Sequence, residues 1–449
     1  MIFSTEDPTG RGLSSKPPAG LLILTFLSLL LTASTSFSGS IFIYTSEPDI
    51  RVCLAENRRA LTLHLGGNYR LSYQDVGIAV LANSSISFSF SPQGTPMASL
   101  PNQQIRFYSP ITIEPADSTE PVLSSGDPDG ITFNSQTYPG KMEIIPESNG
   151  SFRLVNSVPL ETYLRGVVPN ELVNNLRPDE LQACMAQAVA ARNYAFFRMS
   201  NVDSFANGPT AKGFDVYSDT RDQVYSGIGR YKPLADSAIE FTSGMIVEYD
   251  GQPARCFFHS TCGGHTENVQ NVWQGQPALP YLQGVSDTDS ATGEPFCIYN
   301  PNFYWTVSFP GRELTKIVKT NLGMANPMYA SNPVKGDVAS MKILDRFPSG
   351  RVDSLEIRMD DGNIYFVRGD RTRYLFKTRD GAILKSSMFK ITVLRNYGGN
   401  VRKMIIKGQG NGHGVGMCQW GALGMSRLGY TYSQILAHYY PGTVIKKVY

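Results

Sequence analysis

Between Gly408 and Gly416 the chain gives up its side chain at every second position, in the run GQGNGHGVGMCQWGALG at 408–424. A phosphate-cradling loop is excluded, because no Lys-Ser or Lys-Thr follows the glycines and no apolar strand-then-helix context surrounds them. In an extended segment, alternate residues point to opposite faces. Gly408, Gly410, Gly412, Gly414 and Gly416 would then form a face of bare backbone, with Gln409, Asn411, His413 and Val415 on the other. Such a face admits another element, or a flat ligand, close to the main chain. A tight glycine-rich packing loop without chemistry is the competing reading.

The 449-residue chain is long enough for two or three domains. Its formal net charge of +2, with no basic run, predicts no nucleic-acid partner and no strong attraction to anionic membranes. Arg11 and Lys16 precede the apolar run GLLILTFLSLLLTA at 20–33, which the small residues STSFSGS follow. This order of basic, apolar and small residues is that of a secretory signal, and the run falls short of the ~18 apolar residues of a spanning helix. Residues 1–38 therefore read as a signal peptide or N-terminal anchor, the only membrane contact expected. The rest of the chain is expected to be exported to the periplasm, the cell envelope or the outer face of the membrane. Export also bears on the six cysteines, since an oxidising compartment favours disulfides over metal sites.

Short alternating runs such as SIFIYT, ALTLHLG and SISFSFS make residues 40–90 a β-rich N-terminal region. Residues 91–138, rich in Pro, Ser, Gly and Asp, read as a linker or long loop interrupted by a strand at QQIRFYSPITI. Strands near GKMEIIP and SFRLVNS open a third region, 139–449. The long helix is predicted near residues 178–199. Pro178 suits its first turn, Asp179 and Glu180 suit its positive end, and Leu181, Cys184, Met185, Ala188, Val189, Arg192 and Phe196 recur at helical spacing. KPLADSAIEFTSG and SQILAHYYPG read as shorter helices, with strands between them over 333–405. The fold class is α+β, mostly antiparallel.

Three places could carry chemistry. In PLETYLRGVVPNEL at 159–172, Glu171 follows Val-Val-Pro, and a carboxyl in apolar surroundings holds its proton to higher pH. Glu161 competes with it, and a helix-end ion pair is the structural alternative. In CFFHSTCGGHTENVQNVW at 256–273, His259, Cys262 and His265, with Cys297 further on, could enclose a tetrahedral zinc. A disulfide from Cys297 to Cys262 or Cys256 is the alternative, and a catalytic Cys-His pair a weaker one. The third is the glycine run itself, where His413, Gln419 and Trp420 suit a sugar, which stacks on rings and hydrogen-bonds to polar groups.

Taken in order, VPLETYLRGVVPNEL, LQACMAQAVAARNYAF, DTRDQVYSG, FFHSTCGGHTENVQNVW and the glycine run through YYPGT resemble the stage II sporulation protein D family (SpoIID/LytB). The resemblance is strong over about residues 139–449. It implies a SpoIID-like catalytic domain there and a lytic transglycosylase, a peptidoglycan lyase with Glu171 as its acid/base. It also implies glycan strands as substrate and, in some members, a metal site at the segment matching His259 to His265. The family includes enhancers of a separate cell-wall amidase, so a non-catalytic wall-binding role with an amidase as partner is the alternative. Arg192, His413, Gln419, Trp420, Tyr439 and Tyr440 are the candidates for holding the glycan. The chain departs from the usual family pattern at Cys184 and at Cys418, where Ser is common.

Overall fold

Alternation of side chains builds the N-terminal strands: along Leu61–Leu65 burial switches at every residue, with Leu61, Leu63 and Leu65 inward. The computed structural model describes residues 46–116, 129–172, 175–199, 213–229, 232–331 and 333–449, so the expected leader, 1–38, lies outside the described residues. A seven-stranded sheet runs in the order Val216–Tyr217, Asp49–Arg58, Ser151–Pro159, Lys141–Glu147, Ile111–Pro115, Tyr69–Tyr73 and Val76–Val80. All its pairings are antiparallel except the first. A six-stranded sheet is ordered Gln136–Tyr138, Ile131–Phe133, Leu61–Leu65, Ser84–Phe90, Pro96–Ser99 and Gln104–Arg106. The two share a hydrophobic core that holds Ile50, Leu63, Phe88, Phe107 and Phe152. Mixed helices and mostly antiparallel sheets make this an α+β protein with a β-rich N-terminal region, as the sequence predicts.

The stretch 91–138 differs from the expected loop with a single strand. Among its described residues are Pro96–Ser99, Gln104–Arg106, Ile111–Pro115, Ile131–Phe133 and Gln136–Tyr138. Its Pro, Ser, Gly and Asp residues are largely the turns between very short strands, which composition alone does not separate from a linker. The same core also continues past residue 139, taking in Leu160, Tyr163 and Val167.

Helix α1 spans Leu160–Glu171 and α2 spans Leu181–Met199, the latter led in by a 3-10 turn at Pro178–Glu180. The spacing of α2 predicts one apolar face, but the helix is buried nearly all round. Cys184, Ala188, Ala191 and Phe196 pack into the core of the two sheets. Ala183, Ala186, Val189 and Ala190 pack into a second core formed with the C-terminal part of the chain. Its many alanines permit this close approach on both sides. Three further helices matter below: α3, Pro233–Phe241; α5, Gln419–Arg427; and α6, Tyr432–Tyr439. Between α3 and α5, a third core gathers residues from Trp305 to Ile406. It includes α4, Gly311–Ala325, which the sequence reading did not mark, although Leu314, Val318, Leu322 and Ala325 follow helical spacing.

The glycine run is not a continuous strand. Val401–Gln409 is extended, but Gly410, Gly412, Gly414 and Gly416 take φ values of 81°, 111°, 91° and 70°. Left-handed backbone at alternate residues is open to glycine and strained for other residues. The close approach expected of a bare face is nevertheless present. A Cβ at Gly416 would lie 2.1 Å from the Phe257 carbonyl oxygen, and one at Gly412 would lie 2.8 Å from His259 Cβ. Thr261 and Asn411 exchange two backbone hydrogen bonds of 2.8 Å, and Phe258–His259 pairs in parallel with Met417–Cys418. The glycines thus seat the chain against the 257–262 segment and deliver it to the start of α5.

Candidate active site

Burial of Leu160, Tyr163, Leu164, Val167 and Val168 anchors α1, and its apolar face carries the chain to Pro169 in the last turn. Proline gives the helix no N–H there and favours a nearby stop. Glu171 is the final helical residue, half-buried, and Leu172 is already extended. Lys232 Nζ donates to the freed carbonyl of Pro169 (2.5 Å), and Asn170 Nδ2 donates to Gly166 O (2.6 Å) and Ser226 Oγ (2.8 Å). These contacts fix the loop that supplies the Val224 backbone to Glu171. On the other side Gln419, the first residue of α5, brings its Nε2 to 3.5 Å from Glu171 Oε2 and equally near Gln187 Oε1 on α2. Burial raises the Glu171 pKa, against a smaller pull from the Val224 and Gln419 hydrogen bonds. Among the described residues, no ion pair or hydrogen bond joins Glu171 to a second carboxylate. The site can therefore hold a proton at one carboxyl group and exchange it.

The rival carboxylate at the other end of α1 has a different environment. Glu161 takes a bidentate pair from Arg192, 2.9 Å from Nε and 2.6 Å from Nη2, and also accepts from the Gly244 N–H and the Tyr449 hydroxyl. Arg192 is fully buried and also donates to the Met245 carbonyl. The expectation that Arg192 holds substrate is thus corrected: it is a core ion pair, and its place on a helix buried all round is the reason.

The remaining binding candidates divide. Gln419 reaches Glu171. Tyr439 and Tyr440 are buried, their hydroxyls donating to Asp287 Oδ1 (2.5 Å) and Phe257 O (2.7 Å), so neither ring is free to stack on a sugar. Tyr439 ends α6 and Tyr440 follows it directly, and both turn into the second core. His413 is half-buried, accepts the Val415 N–H at Nδ1 (3.1 Å) and donates from Nε2 to Phe258 O (3.0 Å). Burial pushes its pKa down to about 3, so it is a neutral ring leaning on Trp273. Trp420 is half-buried on the rim of the second core.

The cysteine-histidine group also assembles differently from the expected set. Cys262 and Cys297 come together, but with Asp287 and Cys418; the four ligand atoms lie within 4.8 Å of one another and all four residues are buried. His259 and His265 stand outside this group, their Nδ1 atoms meeting the carbonyls of Val415 and Thr266. The cause is the turn at Gly263 and Gly264, both at positive φ, which directs Cys262 inward and takes His265 away from it. The Cys262 and Cys297 sulfurs are 3.5 Å apart, against about 2.05 Å for a disulfide. Cys256 is a separate buried thiol, and burial pushes it up. Asp287 falls outside a spacing of thiols and imidazoles, and Cys418 lies 156 residues from Cys262 in the chain. The signal for Cys418 was its departure from the usual serine.

Residues 148–249, which hold both α1 and α2, match the SpoIID family described as stage II sporulation protein. An uncharacterized protein of Brachyspira hyodysenteriae is 30% identical over 412 residues, which cover 90% of this chain and 95% of that protein. The chain belongs to the SpoIID family. Stage II sporulation protein D of Bacillus subtilis is 27% identical, over 68% of this chain and 79% of its own length. The Bacillus subtilis amidase enhancer is 29% identical over 63% of this chain, but only 40% of the enhancer is covered.

Within this family frame the site is composite. Glu171, Gln187 and the Val224 backbone lie in the SpoIID match, while Gln419 comes from beyond it. Residues 298–416 match a domain of unknown function, DUF8618, whose span encloses the third core and ends at the last glycine of the run. No described helix is long and apolar enough to cross a membrane.

Proposed function

We propose that the protein is a peptidoglycan lytic transglycosylase, cleaving the bond between N-acetylmuramic acid and N-acetylglucosamine in glycan strands, with Glu171 as its single acid/base. The reading is supported by a half-buried carboxyl whose pKa burial raises, standing at the end of α1 with the Gln419 amide beside it. Glycoside hydrolysis normally employs two carboxyl groups. One suffices when the substrate brings its own nucleophile. Protonated Glu171 donates to the glycosidic oxygen, and its carboxylate then accepts the proton of the muramic acid C6 hydroxyl as O6 closes onto C1. The product is a 1,6-anhydro end, and the tethered hydroxyl supplies the proximity that a free water lacks. Gln419 steadies the carboxylate during this exchange.

A polymeric substrate also needs length of surface. A cavity of about 760 Å³ is lined by Tyr194, Arg255, Phe257, Trp273 and Tyr374 among others, with Tyr194 two helical turns along α2 from Gln187. Its rings and cations suit sugars and the carboxylates of their substituents. The apolar leader sequence supports export to the periplasm or cell envelope, where this substrate is found. Strands already stripped of stem peptides are the preferred form in this reading.

The relationship to the amidase enhancer favours a second reading, a wall-binding partner that stimulates an amidase without turnover. The two separate in one assay. Wild-type protein is incubated with sedimentable, peptide-stripped glycan alone, and in parallel with intact wall in the presence and absence of an N-acetylmuramoyl-L-alanine amidase. Soluble fragments released by the protein alone are expected. Binding without release, together with a faster amidase on intact wall, would favour the enhancer.

A further inference from the structure

We propose that Cys262, Asp287, Cys297 and Cys418 form a binding site for one thiophilic divalent cation of the zinc class, and that this ion clamps the start of α5 so that Gln419 faces Glu171. The donor set is three sulfurs and one carboxylate oxygen, all buried, from three separate parts of the chain. A disulfide would use only two of the sulfurs, although Cys262 Sγ also lies 2.9 Å from Asp287 Oδ2. A tetrahedral ion uses all four. Metal–sulfur bonds of about 2.3 Å put neighbouring sulfurs roughly 3.8 Å apart, close to the 3.5 Å between Cys262 and Cys297. Sulfur donors select zinc-like ions over calcium or magnesium, which take oxygen.

The backbone already turns N–H donors onto the sulfurs. Three backbone N–H groups donate to sulfur at 3.2 Å: Gly264 to Cys262, Cys262 to Cys418 and Gly421 to Cys418. The second oxygen of Asp287 is fixed by the Tyr439 hydroxyl, the outer hydrogen bond that orients a ligating carboxylate. Three thiolates and one carboxylate around a dication leave a formal charge of two minus. The buried guanidinium of Arg351, which donates to the carbonyls of Cys262 (2.7 Å) and His265 (2.8 Å), stands beside the group to offset part of it. The positive end of α5 offsets more. Ion binding displaces the thiol protons to solvent and needs no oxidant or reductant.

The consequence for the active site follows from the chain. Cys418 caps α5 and Gln419 is its first residue, so an ion that holds Cys418 against the Cys262 turn sets where the Gln419 amide points. This part rests on Glu171 as the acid/base; the metal site itself does not.

The test is metal analysis of the full chain, purified without chelator, by inductively coupled plasma mass spectrometry, followed by exchange with cobalt(II). About one zinc per chain is expected. The cobalt form should show intense near-ultraviolet sulfur-to-cobalt absorption in wild type and in Cys53→Ser, reduced in Cys297→Ser and in Asp287→Asn. Metal-free protein should also shift the pH profile of glycan cleavage in the same direction as Gln419→Ala, a change that mere loss of stability would not produce. Metal-free wild-type chain with Cys262 and Cys297 joined in a disulfide by peptide mass would overturn the proposal. So would bound metal that survives unchanged in both Cys297→Ser and Asp287→Asn. Either reading is independent of turnover, so a metal site could stand if the transglycosylase assay failed, and the reverse.

Discussion

The two ends of α1 carry the same side chain in opposite circumstances. Glu161 accepts four hydrogen bonds, two from Arg192, one from a backbone N–H and one from a tyrosine hydroxyl. Glu171 has one backbone hydrogen bond and a long amide contact, and burial disfavours its charge. The first arrangement stores stability, because its partner is a fully buried cation. The second stores reactivity, since a carboxyl that keeps its proton can give it away. What separates them is their partners, which the chain assembles from segments remote in sequence.

The largest effect should come from Glu171→Gln, which keeps the shape and removes the proton. Glycan cleavage is expected to fall by about 10²–10⁴-fold or more, with wall binding and the circular dichroism spectrum retained. Glu161→Ala should invert that result: it strands Arg192 in the core and costs about 3–5 kcal/mol, read from the denaturant midpoint, while cleavage per folded molecule is largely kept. If Glu161→Ala abolished turnover in fully folded protein, the division between the two ends would be wrong.

Gln419→Ala sharpens the comparison on the reactive side. Its hydrogen bond lowers the Glu171 pKa, so its loss should raise that pKa further. At 3.5 Å the contact is long, so the displacement should be small. The alkaline fall of kcat/KM, where Glu171 loses its proton, should move to higher pH; a move to lower pH would contradict the assignment.

The smallest effect concerns stability. Because the folded chain binds the Glu171 proton more tightly than the unfolded one, the residue weighs against folding as pH rises from about 4.3 through the raised folded value. Glu171→Gln removes that burden. Its Tm should match wild type in acid and exceed it slightly at neutral pH, whereas a Tm gain confined to acid would mean that the folded pKa is lowered.

Much of this was legible in the residues. Val-Val-Pro before Glu171 announced an apolar setting, Pro178 and the acidic pair marked the start of the α2 region, and alternation in ALTLHLG marked a strand. Local pattern sufficed there because local neighbours decide the outcome. It failed where distant partners decide. Arg192 was a plausible substrate ligand until the core placed Glu161 beside it, and Tyr439 and Tyr440 until α6 turned them inward. The glycine spacing suggested a strand, but spacing does not reveal the sign of φ, and the 257–262 segment needed turns rather than extension. His259 and His265 sat at ligand-like intervals, yet the CGG turn sent only Cys262 to the cluster.

The proposed reaction turns on a single carboxyl working on a substrate that supplies its own nucleophile. The direct measurement is mass spectrometry of the ends made by wild-type protein on peptide-stripped glycan strands in ¹⁸O-labelled water. The expected products are 1,6-anhydro-muramic ends, one water lighter than reducing ends and free of label. Labelled reducing ends would contradict it, since they require an activated water and a second group to activate it.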